Sequence, residues 1–223
     1  MNSHARPVPL FESRHSFFLA ILATAMSFVA PEANAQTASD AGHLATLNAR
    51  NLAVGVCGTC HGARGNSVQP KFPRLAGQDA GYLAAQLRNF RSQTRGDPDA
   101  IGYMWGMAAE LSDETIEALA KYYAGQKPVG ANAREVSAGS HGREIYERGI
   151  AAEGVPACAA CHGADAHGTA TFPRLAGQHA QYVLKQLGSF QTNMRNVAVM
   201  HGVALNLRLS EMEEVAAYLE SLP

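Results

Sequence analysis

"CGTCHG", Cys57–Gly62, and "CAACHG", Cys158–Gly163, are two spellings of one motif set 101 residues apart. A second identity follows each of them. "FPRLAGQ" occupies Phe72–Gln78 and recurs letter for letter at Phe172–Gln178, at an offset of 100. That register also pairs Ala80 with Ala180, Tyr82 with Tyr182, Gln86-Leu87 with Gln186-Leu187 and Phe90 with Phe190. Further on, at an offset of 96, Met104, Gly106, Leu111 and Tyr122 meet Met200, Gly202, Leu207 and Tyr218. Matching blocks in one order, separated by small changes of length, mean a single domain duplicated in tandem.

The limits of the two copies follow from composition. Residues 1–35 read as a secretory signal: Arg14-His15 precede the apolar run Phe17–Ala30, and Ala33-Asn34-Ala35 supplies small residues for cleavage near Ala35. An uncleaved anchor is the weaker reading, because a spanning helix needs about 20 apolar residues. The mature protein is therefore expected to be exported to the periplasm. "GQKPVGANAREVS", residues 125–137, interrupts helical periodicity with Gly, Pro and Asn. The expected domains are 36–127 and 138–223, joined by a linker at 128–137. The chain of 223 residues is 47% hydrophobic and 17% charged, as globular proteins are. Its net charge of −1 offers no basic field, so no nucleic-acid partner is expected.

Hydrophobic period and capping signals predict an all-α fold. A first helix is expected over roughly 41–54, with its counterpart over 137–151. A second starts near Asp79 and carries Tyr82, Gln86 and Phe90 on one face, copied by Tyr182, Gln186 and Phe190. A third opens at Ser112, the predicted N-cap, and buries Ile116, Leu119 and Tyr122-Tyr123. Its counterpart carries Ser210-x-x-Glu213, a capping-box pattern, with Met212, Val215, Tyr218 and Leu219 inward. Domains of this size gain only modest stability from a core alone, and a large apolar prosthetic group in each would add to it.

The cysteine motif supplies such a group. In Cys57-x-x-Cys60-His61 and Cys158-x-x-Cys161-His162, two thiols can form thioethers to haem vinyl groups while the adjacent imidazole meets the iron, the c-type attachment pattern. A thioredoxin-like pair would need a βαβ setting, and a zinc site four converging ligands. Simple disulfides would leave the following His unexplained twice. The expected cofactors are two covalently bound haem c groups, with His61 and His162 as proximal ligands.

A haem carrier commonly presents Met opposite His. Of seven methionines, only Met104 and Met200 fall on each other in the repeat, and they are the predicted sixth ligands. Met107 and Met212 suit core filling. Bis-His ligation would draw on His43, His141, His167, His179 or His201, none of which has a His at its repeat-equivalent position.

With two CxxCHG motifs, each followed by "FPRLAGQxAxY…QL…F" and "M…L…Y", the chain resembles the cytochrome c4 family across essentially its whole mature length. The resemblance implies two tandem class I cytochrome c domains. It also implies that the Pro73 and Pro173 carbonyls accept hydrogen bonds from Nδ1 of His61 and His162; such a bond orients a metal-bound imidazole and raises its basicity. Leu75 and Leu175 would wall the porphyrin, Gly77 and Gly177 would make the exit turn, and Arg74 and Arg174 would pair with propionates. The polar Gln86 and Gln186 would face a propionate or the domain interface. The function implied is an electron carrier, not an enzyme, working in the periplasm between a cytochrome bc1-type donor and a terminal oxidase. An electron-accepting subunit of a periplasmic dehydrogenase is the alternative, and a dihaem peroxidase-like enzyme a third. Peripheral membrane association stays open at this level.

Overall fold

The computed structural model of the protein describes residues 44, 46–129, 140–169 and 171–223. The expected signal segment, His43 and positions 130–137 of the expected linker lie outside the described residues. Among those described, helices account for all regular structure, with isolated bridges at Ile150–Val155 and Thr169–Phe172.

The two halves repeat one helix order. In the first, α1 (46–52) widens into a turn over Ala53–Cys57 and continues as α2 (Gly58–His61). Then come α3 (Ala80–Arg91), a wide turn Ala100–Met104 leading into α4 (Trp105–Ala108), and α5 (Asp113–Ala124). The second half has α6 (His141–Arg148), a short turn Ala151–Glu153, α7 (Ala159–His162), α8 (Ala180–Gln191), α9 (Ala198–Ala204) and α10 (Leu209–Ser221). In each half the last long helix packs on the one that follows the heptapeptide, α5 on α3 and α10 on α8. Ala49, Leu83, Ile116, Leu119 and Tyr123 are buried together in the first core. Ile145, Tyr146, Val183, Met212, Val215 and Leu219 fill the second.

Side-chain caps fix where α3, α5 and α6 start. Asp79 accepts the Tyr82 N–H at 2.7 Å, and Ser112 the Thr115 N–H at 3.2 Å, each satisfying a donor that the first turn leaves orphaned. Two expected boundaries need correction. The helix expected over 137–151 starts after Ser140 and stops at Arg148. Gly149 then takes φ 70°, and a Cβ there would lie 2.2 Å from the Val155 carbonyl, so the chain turns away into the Ile150–Val155 bridge. The capping box expected of Ser210 and Glu213 is displaced: α10 begins at Leu209, and Glu211 reaches back to the Arg208 N–H at 2.8 Å. Arg208 and Ser112 are equivalent at the offset of 96. The helix therefore keeps the repeat's register, but a buried carboxylate accepting the N-cap N–H closes its first turn, where in the first half a hydroxyl accepts the N–H three residues on.

Candidate haem sites and the interface between the halves

Each CxxCH motif forms a one-turn helix that swings its histidine inward. His61 and His162 are 7% and 6% exposed. His61 Nδ1 lies 2.9 Å from the Pro73 carbonyl, and His162 Nδ1 lies 2.9 Å from that of Pro173. A carbonyl can only accept, so Nδ1 carries the proton and the Nε2 lone pair stays available. Burial lowers both imidazoles from their ordinary value, against the opposing pull of the Pro carbonyls, and so keeps them neutral. Phe72 and Phe172 stand edge-on to these rings at 6.1 and 5.9 Å. In the first half Tyr103, the neighbour of Met104, packs on Phe72 at 5.9 Å, which brings the Met-bearing turn to the His61 side.

The thiols match the same chemistry. Cys57, Cys60, Cys158 and Cys161 are all free and partly buried. Burial pushes the Cys57 thiol up, and that of Cys158 to about 11. An activated redox pair would instead show a depressed thiol. No cluster of three or more His, Cys, Asp or Glu suited to a metal ion occurs among the described residues, so the zinc reading has no site there. The donor set in each half is thus two thiols one helical turn apart beside a neutral imidazole with a free Nε2, which fits a covalently held haem. Other described histidines are engaged elsewhere. His179 is held by Glu220 at 3.1 Å and the Ser67 carbonyl at 3.0 Å, His201 by the Phe190 carbonyl at 2.8 Å. His141 pairs with Glu214, and His167 with Asp165.

The heptapeptide loop is pinned in the same way twice. Leu75 and Ala76 donate to the Gly65 carbonyl, Leu175 and Ala176 to that of Ala166. Gly77 donates to Tyr123 at 3.0 Å and Gly177 to Leu219 at 2.9 Å, tying each loop to the last helix of its half. Both glycines sit at positive φ, 66° and 68°, which the exit turn requires.

The final residue of the heptapeptide has a role that sequence reasoning did not assign. Gln78 donates from Nε2 to the Arg174 carbonyl and accepts from the Arg174 N–H through Oε1, both at 2.9 Å. Gln178 does the same to Arg74, at 3.0 and 2.8 Å. Each amide mimics a strand partner for the other half's loop, and both are 7% exposed. The Arg74 guanidinium donates to the Gly177 carbonyl at 2.5 Å, and that of Arg174 to the Pro223 carbonyl at 2.7 Å. A propionate would have to share these donors. The signal available in sequence was the exact repetition of Gln, which neither the haem nor the exit turn needed.

A second two-fold network lies between α3 and α8. Arg95 donates to Gln86 at 2.9 Å and across to Gln186 at 2.8 Å; Arg195 donates to Gln186 at 2.7 Å and across to Gln86 at 3.0 Å. Tyr182 accepts from Arg95 at 3.3 Å and Tyr82 from Arg195 at 2.6 Å. The guanidinium carbons stand 4.7 and 4.6 Å over Phe90 and Phe190. The repeated Gln and Tyr of these helices thus serve the interface. Arg95 also anchors the Met-bearing segment, because Trp105, next to Met104, donates its indole N–H to the Arg95 carbonyl at 2.8 Å.

Comparison with known proteins converges on these two sites. The family signature "Cytochrome c" matches residues 48–125 and again 140–223. Cytochrome c4 of Azotobacter vinelandii is 38% identical over 178 residues, covering 75% of this chain and 84% of its own. The chain belongs to the cytochrome c4 family. The solved structure of the Acidithiobacillus ferrooxidans cytochrome c4 superposes with a TM-score of 0.70 at 41% identity, covering 74% of this chain and 98% of that one. The thiosulfate dehydrogenase electron acceptor of Thiomonas intermedia is 37% identical, over 75% of this chain and 78% of its own. As a cytochrome c4 the protein has two tandem class I cytochrome c domains. It carries two covalently bound haem c groups on Cys57/Cys60 and Cys158/Cys161, and it is an electron carrier.

Proposed function

We propose that His61 with Met104, and His162 with Met200, would hold the irons of the two haems, and that the protein is a periplasmic shuttle taking electrons from a cytochrome bc1-type complex to a terminal oxidase. The observation that carries the ligand reading is the buried neutral imidazole of each half, with Nδ1 held by a Pro carbonyl and Nε2 free. Each haem supplies one-electron Fe(III)/Fe(II) cycling. The chain's part is to saturate the iron with two side chains, so that electrons pass without a substrate bound to the metal, and to exclude water from it. Pro73 and Pro173 fix the imidazoles. Arg74 and Arg174 reach a propionate only through the N–H groups not given to carbonyls. Export rests on the signal pattern of residues 1–35; among the described residues no helix is long and apolar enough to cross a membrane.

The relative that accepts electrons for thiosulfate dehydrogenase supports a second reading, in which the donor is a periplasmic dehydrogenase. Stopped-flow reduction separates the two. The oxidised holoprotein is mixed in turn with a reduced bc1-type complex and with a thiosulfate-reduced dehydrogenase. Fast reduction by the bc1-type complex, followed by reoxidation by the oxidase, is the expected result. Reduction by the dehydrogenase alone would replace the shuttle with the second reading.

A further inference from the structure

The Gln78/Gln178 and Gln86/Gln186 contacts are reciprocal, each half returning what it receives. Another contact between the halves is one-sided. The first half takes nine positions from Arg95 to Met104, the second five from Arg195 to Met200. In the longer stretch Asp97 is buried and accepts from Arg95 Nε at 2.7 Å. Asp99 follows two residues on, at the N-cap of the wide turn Ala100–Met104, yet its carboxylate makes no cap hydrogen bond to that turn. Each of its oxygens faces a lysine instead. Lys185, on α8 of the other half, donates to Oδ2, and Lys71, next to Phe72, stands 3.9 Å from Oδ1. Lys71 also donates to the Tyr103 hydroxyl at 2.6 Å, with its ammonium 4.4 Å from the centre of that ring. None of these groups is repeated: Lys71 corresponds to Thr171, Lys185 to Ala85 and Tyr103 to Val199.

The chain behind each methionine is pinned alike. Trp105 donates to the Arg95 carbonyl and its counterpart His201 to that of Phe190, both at 2.8 Å. Arg91 donates to the Leu111 carbonyl at 2.7 Å, and its counterpart Gln191 to that of Leu207 at 2.9 Å. The approach to the methionine differs. Met200 is the third residue of α9, whose ladder is already closed by the His201 N–H on the Val197 carbonyl at 2.8 Å. Met104 instead ends a five-residue turn, tied at its head by Asp99 and near its foot by Tyr103. Charged side chains from its own heptapeptide loop and from the other half thus converge on the turn that presents Met104.

We propose that Asp99, held by Lys185 and Lys71, is the positioning residue for Met104, so that the second half steadies the sixth ligand of the first with no return contact. The inference rests on the His/Met ligand reading above. Its test is cyanide binding to the ferric holoprotein in a Met200→Ala background, where the C-terminal haem binds at once and the slow phase reports release of Met104. Asp99→Asn removes both ion pairs without removing a cap, and Lys185→Gln removes only the contact from the other half. Each should speed the slow phase roughly two- to fivefold, as the loss of partly exposed ion pairs allows, and Asp99→Asn the more. Lys185→Arg, which keeps the charge, should leave the parent rate. Amide hydrogen exchange, read on the same proteins, should quicken over residues 101–104 and not over 198–203. A slow phase unchanged in either Asp99→Asn or Lys185→Gln, or quickened as much by Lys185→Arg, overturns the proposal. A slow phase that survives Met104→Ala in the same background overturns the ligand reading and the proposal with it, so the two failures are told apart.

Discussion

Gln78 holds the main chain of Arg174 by both of its peptide groups' polar atoms, donating to the carbonyl and accepting from the N–H at 2.9 Å each. The residue sits five positions after Pro73, whose carbonyl fixes His61. One short loop therefore fixes a haem histidine at one end and the partner domain at the other, and its copy does the same in return. Selection on such a loop acts on both tasks together, which gives a physical reason for two halves to keep seven letters identical.

Truncating that amide should loosen the interface without touching the haem. Gln78→Ala leaves the Arg174 N–H and carbonyl without their partners in a buried setting, a loss of about 1–3 kcal/mol. Gln178→Ala does likewise to Arg74. Because either truncation lets the two loops part, the double variant should cost less than the sum of the singles. Thermal unfolding followed by circular dichroism measures this, and the haem optical spectrum should stay unchanged.

Met104→Ala and Met200→Ala should each open one iron and leave the other saturated. The expected sign is half-loss of the Met–iron charge-transfer band in the ferric protein, with cyanide or carbon monoxide binding at one haem per chain. Met107→Ala should leave the spectrum intact: the residue has no Met counterpart in the repeat and, contrary to the core role expected of it, is 47% exposed.

Much of this was legible in sequence because duplication acts as an internal alignment. It exposed the CxxCH pairs and placed the faces of α3, α5, α8 and α10, and the same register is the ground on which Met104 and Met200 are proposed among seven methionines. It failed where the halves solve one problem with different residues. Ser210 looked like a cap because serine usually is one, yet the helix starts one residue earlier at Leu209 and Glu211 closes its first turn through the Arg208 N–H. It also said nothing of the clasp, since pattern within a domain carries no account of what meets it from another. Arg95 and Arg195 went unnoticed for the same reason: an arginine in a loop reads as solvated until a second one is brought against it.

The two helix starts give a contrast that sequence alone misses, since it expects a cap at both Ser112 and Ser210. Ser112→Ala removes the acceptor for Thr115 N–H at the start of α5 and should cost about 1 kcal/mol. Ser210→Ala, inside α10, should be nearly silent. Glu211→Ala should destabilise more than either, because it strips the Arg208 N–H of its acceptor and leaves the Arg208 guanidinium with Glu153 alone of its two carboxylate partners. Chemical denaturation of the holoproteins ranks the three.

The buried carboxylate of the interface sets an acid limit on stability. Burial alone would raise Asp97, but Arg95 against it, helped by Gln186 and Arg195, holds it below the ordinary carboxylate range. A group whose folded value is depressed contributes stability that is complete above its unfolded value of about 3.9 and is lost as pH falls towards the folded value. Protonation there would remove the carboxylate that faces both guanidiniums, leaving Arg95 and Arg195 as two like charges across Gln86 and Gln186. The wild-type melting temperature should therefore fall on acidification below about pH 4, and more steeply than that of Asp97→Asn, whose curve lacks this contribution. Parallel acid limbs in the two proteins would mean that the carboxylate is not what ties the halves together at low pH.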